Sequence, residues 1–236
     1  MPGKLYLIPN AISEKAFETL PNYLAAVVDS IRIFFIEEPK AARRLLKALN
    51  PNFPLQECTF FPLNEHTSKE EAKKFFRTAV NKDIGIISES GCPGVADPGA
   101  NIVLLAHQHN LEIIPLVGPS SILLALMASG LNGQNFSFNG YLSKEKELRV
   151  KRIKELERRS QTEQQTQIIM ETPYRNQHIL HDLLENCSLQ TLLCIAYDLT
   201  GPAQSIKTQT VSAWKKTIPT LPKEPALFLF LRPNAH

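Results

Sequence analysis

The residues best suited to bind a ligand lie in the segment SESGCPGVADPG, residues 88–99, which follows the apolar run IGII. Three of the chain's ten glycines fall in this segment, and eight of the ten lie between Gly85 and Gly140. Glycine lets backbone amides and carbonyls approach a ligand because it has no Cβ. A plain connection between a strand and a helix needs about two to six residues, and this one is longer. The pattern therefore predicts a loop that binds a ligand through its backbone, with a tight connection starting at Asp97 or Gly99 as the simpler alternative.

The absence of characteristic motifs argues against several familiar kinds of site. The sequence contains neither G-x-x-x-x-G-K-[ST] nor G-x-G-x-x-G, and the first apolar run leads into IPNAISE without a glycine. It also contains no G-x-S-x-G segment. A nucleotide P-loop, a dinucleotide Rossmann site and a serine hydrolase elbow are therefore not expected.

Cysteine and histidine spacing does not predict a metal site. The four cysteines are scattered without a C-x-x-C pair, which is typical of reduced thiols in a cytosol. His107 and His109 are two residues apart near the end of a predicted helix and point in different directions. His178 and His181 share a helix face but have no acidic third ligand nearby. We expect structural or surface roles for these side chains and no metal.

The segment KEKELRVKRIKELERR, residues 144–159, holds a local excess of positive charge. It contains eight Lys or Arg and four Glu, so its balance of +4 exceeds the net charge of +3 for the whole chain. One interpretation is a solvated helix with favourable pairs such as Glu147–Lys151. The other is a patch that contacts the phosphate backbone of a nucleic acid.

The elements that must position these residues alternate between strand and helix in the first half. Continuous apolar runs predict buried parallel strands at residues 4–8, 31–37, 84–88 and 111–117. Helical patterns lie between them at residues 13–28, 40–49 and 68–80, the last with the Ser68/Glu71 spacing of a capping box. A further helical pattern follows the Gly/Pro-rich loop. This alternation predicts an α/β domain.

The second half has a different organisation. Pro119 and Gly130 are placed to begin and end a helix, and Thr172 and Pro173 to begin another. Strands are predicted at residues 166–172, 192–200, 204–214 and 226–232, with no long helix between the last three. We therefore expect an N-terminal α/β lobe over residues 1–117 and a mixed α+β C-terminal lobe over residues 118–236.

No apolar run is long enough to span a membrane, and MPGKLYLIPN is not organised as a signal peptide. The composition, with 43% hydrophobic and 21% charged residues, is that of a folded domain. The expectation is a cytoplasmic enzyme or binding protein.

Four ordered segments resemble one family. SESGCPGVADPG, PLVGPSSILLALMASGL, FSFNGYLSKEKELR and METPYRNQHILHDLLE are similar in order and spacing to the tetrapyrrole methylase superfamily, and within it to the branch that methylates small-subunit ribosomal RNA. The resemblance extends from Lys4 to about Leu231. It implies a two-lobed fold that holds S-adenosylmethionine in a cleft between the lobes. It also implies methyl transfer to a cytidine ribose 2′-hydroxyl, and a homodimer.

The resemblance also implies the site residues. It assigns the cofactor to two groups, which are Ser88, Ser90, Gly91, Pro93, Gly94, Val95, Asp97, Gly118, Ser120 and Ser121 on one side, and Glu171, Thr172, Pro173, Ala196, Asp198, Leu199 and Thr200 on the other. It makes Lys144–Arg152, within the basic segment, a candidate contact for ribosomal RNA or the small ribosomal subunit. The predicted RNA contacts are Asn10, Lys40, Lys144, Lys146, Arg149 and Lys151.

A hydroxyl acceptor requires removal of its proton during attack, so a general base is expected. The carboxylates near strand ends are Glu37, Glu38, Glu89 and Asp97, and we rank Glu89 and Glu37 first as catalytic candidates. The alternative for Glu89 or Asp97 is to cap the following turn.

The sequence departs from the family pattern in four places, one of which is Glu89 where the family's main loop has Asp. The N-terminal G-T-P-I-G-N loop is here LIPNAIS, which retains Pro9 and Asn10 without either glycine. The A-E-D-T-R segment is here IEEPK, and the histidine of E-S-P-H-R is Tyr174. These departures leave two alternatives open. One is a methyltransferase of the same superfamily with a small-molecule or tetrapyrrole acceptor, and the other is a non-catalytic cofactor-binding protein.

Overall fold

The computed structural model describes residues 3–14, 16–64 and 66–234. The chain divides into two compact units, residues 1–120 and residues 121–236. Each unit is built around its own five-stranded sheet.

The sheet of the first unit is entirely parallel. Its strands are β1 (Lys4–Ile8), β2 (Ile33–Ile36), β3 (Thr59–Pro62), β4 (Ile84–Ile87) and β5 (Glu112–Pro115). They lie in the order β3-β2-β4-β1-β5, and every neighbouring pair is parallel. The carboxyl ends of all five strands therefore lie along one edge of the sheet, where ligands of open α/β sheets bind.

Helices cover both faces of this sheet. Helices α3 (Lys69–Ala79) and α4 (Ala100–Gln108) pack on one face, where Phe76 and Ile102 join a cluster with Leu5 and Phe35. Helices α1 (Tyr23–Val28) and α2 (Pro39–Leu49) pack on the other, in a cluster around Phe34. Because both faces are covered, β2 and β4 are buried throughout, as their continuous apolar sequences require.

The second unit has a mixed sheet. Its strands are β6 (Phe136–Phe138), β7 (Thr166–Glu171), β8 (Leu192–Tyr197), β9 (Ser205–Thr210) and β10 (Ala226–Leu231), in the order β6-β7-β10-β8-β9. Only β6 and β7 pair in parallel. The helices of this unit are α5 (Ser121–Ser129), α6 (Lys146–Glu163), α7 (Asn176–Asn186) and α8 (Val211–Lys216).

The predicted fold class is confirmed, with a parallel α/β unit followed by a mixed unit. Two strands were not predicted. Strand β3 lies at the sheet edge with both end residues exposed, so its sequence lacks the continuous buried pattern. Strand β6 has only three residues, which is too short for a periodicity to appear.

Two predicted elements were wrong in part. The strand predicted at residues 204–214 ends at Thr210, whose side chain accepts a hydrogen bond from the Ala213 amide and begins α8. The helix predicted at residues 13–28 forms only a single 3₁₀ turn at Phe17–Thr19 and the short α1, because Pro21 lies between them and cannot donate a backbone hydrogen bond. Lys15, within that segment, is outside the described residues.

Two helices begin later than their prolines indicated. Helix α7 begins at Asn176, because residues 172–175 form a turn in which the Arg175 amide donates to the Thr172 carbonyl at 3.0 Å. Helix α5 begins at Ser121, so Pro119 precedes its first turn, whereas Gly130 follows its end as predicted. The capping box of α3 is present, with Ser68 and Glu71 bonded reciprocally.

Within the three described ranges, no helix combines the length and apolar character needed to cross a membrane.

Candidate functional site

Loops from four neighbouring strands meet at the carboxyl edge of the parallel sheet. Residues 9–10 follow β1, residues 37–38 follow β2, residues 88–99 follow β4, and residues 116–120 follow β5. The central pair, β1 and β4, are in direct register, with Ile8 beside Ile87. The first group of predicted cofactor residues is therefore gathered at this edge, apart from Ser121, which begins α5.

Asn10 holds the start of the ligand loop. Its backbone forms an isolated antiparallel bridge with Gly91, with N–H···O distances of 2.8 and 3.2 Å. Its side-chain nitrogen donates to the carbonyls of Ser88 at 3.2 Å and Glu89 at 2.9 Å. Its side-chain oxygen accepts from the Ala11 amide at 2.9 Å. Asn10 is buried, so its amide supports the loop and is not placed on an RNA-facing surface.

Asp97 closes the second half of the loop. Its Oδ1 accepts hydrogen bonds from the Gly94 amide at 2.6 Å and the Gly99 amide at 2.8 Å. Gly94 takes part in this turn with φ +80°, a conformation that side chains with a Cβ rarely adopt. This geometry matches the capping role that the sequence left open for Asp97. Burial raises the pKa of the Asp97 carboxyl, although the two amide hydrogen bonds act in the opposite direction.

The segment after β5 packs tightly against the segment after β1. A Cβ at Gly118 would lie 2.1 Å from the Pro9 Cβ, so only glycine fits there. The Cys92 thiol lies 3.3 Å from the Pro119 carbonyl. The Ser88 hydroxyl donates to the Gly91 carbonyl and the Ser90 hydroxyl to the Ile12 carbonyl, at 3.2 and 3.3 Å. These contacts hold the loop from within, and the side chains of Glu89 and Val95 are exposed.

The two preferred catalytic candidates occupy different positions. Glu37 Oε2 accepts a hydrogen bond from the Glu89 backbone amide at 2.9 Å, so its carboxylate supports the loop. No hydrogen bond or ion pair engages the Glu89 carboxylate among the described residues, and Glu89 is exposed overall. Partial desolvation, followed by repulsion from Glu37 and Glu38, raises the pKa of Glu89. Burial, and then repulsion from Asp97, also raise the pKa of Glu37.

These carboxylates border an open cavity of about 620 Å³ at the sheet edge. It is lined by Glu37, Glu38, Asn64, His66, Glu89, Ala96, Asp97 and Pro98. Asn64 and His66 follow β3, which explains why the sequence did not indicate them: the strand that carries them was not predicted. Glu38 accepts from the Ala41 amide at 2.7 Å and so caps α2. Across the described ranges, no three His, Cys, Asp or Glu side chains are arranged to hold a metal ion.

The second group of predicted cofactor residues lies at one edge of the second sheet. Strands β7 and β8 both run antiparallel to β10, and Ala226 of β10 lies opposite Glu171 on one side and Tyr197 on the other. The ends of β7 and β8 are thereby placed together. Thr172 and Pro173 follow the first of these strands, and residues 198–200 follow the second.

Local bonds shape both strand ends. Glu171 is buried, its Oε1 accepts from the Thr172 amide at 2.8 Å, and its Oε2 lies 3.2 Å from an Arg175 guanidinium nitrogen. Asp198 and Thr200 have φ of +49° and +66° in a tight turn. In that turn Asp198 Oδ2 accepts from the Ala203 amide at 2.6 Å. Ala196 and Leu199 are buried, so of this group the turn backbone and Thr172 are more accessible.

The predicted RNA contacts differ in their exposure to solvent. Lys40 is exposed near the start of α2, and Lys144, Lys146 and Lys151 are exposed at and on α6. Arg149 is buried, and its Nε donates to Asp182 Oδ2 at 2.6 Å. Arg149 therefore serves the interior of the second unit and is removed from the predicted RNA surface, as is Asn10.

Among the described residues, helix α6 carries two exposed cations without an ion pair that the RNA prediction did not include. Lys154 and Arg158 lie three and seven residues beyond Lys151, which places all three on one face of the helix. No ion pair engages them among the described residues, whereas Arg152 and Arg159 pair with Glu155 and Glu163. Helical periodicity alone would have indicated them once the helix was extended to Glu163.

The parallel unit, with its long loop after β4, and the mixed unit that follows it define an α/β protein whose candidate site lies at the carboxyl ends of the parallel strands. The family model for Tetrapyrrole (Corrin/Porphyrin) Methylases matches residues 9–214. The chain belongs to this family of methylases. The resemblance inferred from the four sequence segments is thereby confirmed.

Relatives similar to the chain carry the name Ribosomal RNA small subunit methyltransferase I. The protein from Helicobacter pylori strain J99 is 30% identical over 190 residues, covering 76% of this chain and 65% of that protein. The protein from Vibrio cholerae is 26% identical over 204 residues, covering 86% and 67%. The chain thus spans about two thirds of the length of these curated relatives.

Solved structures show the same fold at low identity. The methyltransferase CobJ has a TM-score of 0.61 and 17% identity, covering 96% of this chain and 93% of that one. Uroporphyrin-III C-methyl transferase from Thermus thermophilus, complexed with S-adenyl homocysteine, has a TM-score of 0.55 and 14% identity, with 97% of each chain covered. These likenesses support the architecture alone.

Proposed function

We propose that the protein is an S-adenosylmethionine-dependent methyltransferase that methylates small-subunit ribosomal RNA at a cytidine ribose 2′-hydroxyl. The observation that carries this proposal is the similarity to relatives named Ribosomal RNA small subunit methyltransferase I, which extends over 76% and 86% of this chain in the two cases above. Such a substrate also implies a cytoplasmic protein, and the family resemblance implies a homodimer, which light scattering coupled to gel filtration would test.

The residues at the carboxyl edge suit this cofactor. The cofactor supplies a methyl group on a positively charged sulfonium, and carboxylates in a partly desolvated site favour a cation. Glu37, Glu89 and Asp97 provide that environment, and it would repel the phosphates of a dinucleotide. The loop that Asn10 and Asp97 hold leaves backbone groups available to the cofactor's polar ends. The ends of β7 and β8, with Thr172 and residues 198–200, are the proposed adenine contacts.

Residues of this chain would then bind the cofactor, orient the acceptor and remove the proton of its hydroxyl group. As the bond from the acceptor oxygen to the methyl group forms, the bond from sulfur to that methyl group breaks, and the hydroxyl proton must leave. We assign the proton to the Glu89 carboxylate, because its raised pKa makes it a stronger base and Glu37 fixes its backbone. Glu37 thereby becomes a positioning residue. Glu89→Gln is expected to lower kcat by about 10²- to 10⁴-fold, with a much smaller loss of cofactor affinity because the Glu37 and Asp97 carboxylates remain.

The direct test is methyl transfer with tritiated S-adenosylmethionine. Purified protein is incubated with small ribosomal subunits from a bacterial strain that lacks its own methyltransferase I, with the naked RNA, and with uroporphyrinogen III. We expect label in the RNA, recovered after alkaline hydrolysis as a dinucleotide, because a 2′-O-methyl group blocks cleavage at its own position. Absence of label from both RNA samples would contradict the proposal.

A second candidate is a methyltransferase with a small-molecule or tetrapyrrole acceptor. The altered segments LIPNAIS and IEEPK favour it, because they lie at the carboxyl edge where the acceptor would bind. Label in uroporphyrinogen III would support this candidate. Cofactor binding by calorimetry with no transfer to any of the three acceptors would support a non-catalytic cofactor-binding protein.

A further inference from the structure

Two arginine side chains hold the segment Leu142–Lys144, which connects β6 to α6. An Arg175 guanidinium nitrogen donates to the Leu142 carbonyl at 3.1 Å and to the Ser143 carbonyl at 3.0 Å. An Arg149 guanidinium nitrogen donates to the Ser143 carbonyl at 3.1 Å and to the Lys144 carbonyl at 2.8 Å. Three successive carbonyls are therefore bound by guanidinium groups, and Ser143 accepts from both.

Each guanidinium is anchored in turn by a buried carboxylate. Arg149 pairs with Asp182 at 2.6 Å, where the two side chains are 9% and 5% exposed. Arg175 pairs with Glu171 at 3.2 Å, where the side chains are 22% and 1% exposed. The segment is thus tied to α7 through Asp182 and to the end of β7 through Glu171. We name this arrangement of four charged side chains around residues 142–144 the arginine clamp.

The arginine clamp has a consequence for the basic surface. Its hydrogen bonds turn the carbonyls of residues 142–144 inward, and the Lys144 and Lys146 side chains are exposed. Arginine suits this task because its planar fork presents several donors in fixed directions, whereas lysine presents a compact point charge. Glu171, which is proposed to lie beside the cofactor, contacts the same guanidinium that holds the Lys144 segment.

We propose that Arg175 is a positioning residue for RNA methylation, which fixes the Lys144 segment to the end of β7 through Glu171. Arg175 contacts neither the RNA nor the reacting atoms in this role. It determines where the RNA-contacting lysines stand relative to Glu171. The inference rests on the proposed function, because it takes RNA as the acceptor.

The test compares Arg175→Gln and Arg175→Lys with the control Arg159→Gln, which removes an exposed arginine paired to Glu163 on the same helix as Lys146. Melting temperature is measured first. Trypsin cleavage after Lys144, followed by mass spectrometry, then reports on the segment without reference to activity. Finally, kcat and KM for small ribosomal subunits are measured at saturating S-adenosylmethionine, together with the Kd of S-adenosylmethionine.

We expect Arg175→Gln to accelerate cleavage after Lys144 at least fivefold and to raise the KM for the RNA about tenfold. The Kd of the cofactor should change less than threefold, because Glu171 Oε1 keeps its bond to the Thr172 amide. Arg175→Lys keeps a charge beside Glu171 but loses the fork, so its RNA KM should lie between wild type and the glutamine variant. Arg159→Gln should match wild type in both readouts.

Two results would overturn the inference. Faster cleavage after Lys144 with an unchanged RNA KM would show that the segment is held for structural reasons alone. Unchanged cleavage in Arg175→Gln would show that the clamp does not hold the segment. If Arg175→Gln fails to fold, Arg175→Lys decides by the same two readouts. A wild-type protein that methylates no RNA would instead refute the proposed function, and the cleavage data would still test the clamp.

Discussion

Glu37 and Glu89 join through one hydrogen bond, in which the Glu37 carboxylate accepts from the Glu89 amide. In the sequence the two residues look equivalent, because each lies just after a predicted strand. In the structure their carboxylate oxygens have different contacts. Both carboxylates border the open cavity, but only that of Glu37 accepts a hydrogen bond from the loop backbone among the described residues. Whether a carboxylate at this edge supports the loop or is available for catalysis therefore depends on the hydrogen bonds that it already accepts.

The acidic cavity should make the stability of the protein depend on pH. The pKa of Glu89 is raised in the folded state, so the folded protein binds more protons than the unfolded chain between the ordinary and the raised pKa. Stability is therefore present below the ordinary pKa of Glu and is lost as pH rises through the raised value. Glu89→Gln removes this loss, so its melting temperature should exceed that of wild type at pH 7, with the difference vanishing toward pH 4.

Differential scanning calorimetry from pH 4 to pH 8 measures this difference. Glu185→Gln, at an exposed position of α7, controls for the loss of one negative charge. A Glu89→Gln variant that is less stable than wild type at pH 7 would contradict the expected repulsion.

Gly94 and Gly130 form a matched pair for testing the ligand loop. Both have positive φ, +80° and +70°, and an added Cβ would meet nothing closer than 3.9 Å at Gly94 and nothing within 4 Å at Gly130. Each change to alanine should cost roughly 1–2 kcal/mol from the left-handed backbone alone. Only Gly94→Ala should also weaken S-adenosylmethionine binding, by about tenfold in calorimetric titration. Equal cofactor affinities in the two variants would exclude Gly94 from the site.

At the scale of elements, the loop after β4 owes its shape to neighbouring strands. Asn10 follows β1 and Glu37 follows β2. The Asn10 side chain donates to the carbonyls of Ser88 and Glu89, and the Glu37 carboxylate accepts from the Glu89 amide. The parallel sheet makes this possible because β4 lies between β2 and β1. Residues far apart in the sequence thus determine the conformation of one loop.

Asn10→Ala should loosen that loop. It removes two hydrogen bonds to carbonyls and the acceptor of the Ala11 amide, so we expect a loss of about 1–3 kcal/mol in the free energy of unfolding. Amide hydrogen exchange at residues 89–91 should accelerate more than exchange in β4 itself. Asn52→Ala, at an exposed position, is the control. Unchanged exchange at residues 89–91 would contradict the support that we assign to Asn10.

At the scale of the whole molecule, each unit carries a local concentration of charge of one sign. The first unit presents carboxylates at its sheet edge, at Glu37, Glu38, Glu89 and Asp97. The second presents exposed cations on α6. An acidic edge suits a sulfonium and a neutral nucleoside, whereas phosphates require the cations. The net charge of +3 conceals this separation.

Charge reversal on α6 tests the assignment of the phosphates. The variant Lys144→Glu/Lys146→Glu/Lys151→Glu, with the buried Arg149 left intact, should abolish RNA binding at physiological salt and spare cofactor binding. The variant Lys215→Glu/Lys216→Glu/Lys223→Glu changes the net charge equally at other exposed lysines of the second unit. Fluorescence anisotropy at several salt concentrations should show a shallower salt dependence only for the α6 variant, by about one unit of slope per lost phosphate contact. Equal losses in both variants would indicate an unspecific charge effect.

The sequence by itself determined the α/β class of the first unit, four of its five strands, the position of the long loop after β4 and the family. Continuous apolar runs require burial on both faces of a sheet, and glycine and proline limit the backbone locally, so these properties can be predicted from neighbouring residues. It also determined the capping box at Ser68, because both partners lie within one turn.

Only the tertiary structure decided what each polar side chain does. Arg149 and Asn10 are residue types that often contact RNA. In the structure, however, Arg149 pairs with Asp182, and Asn10 donates to the carbonyls of Ser88 and Glu89. Strand β3 and the cavity residues that follow it depend on pairing with β2, which no local pattern encodes. Hydrogen bonding and burial join residues far apart in the chain, and for this reason the roles of such side chains follow from the fold.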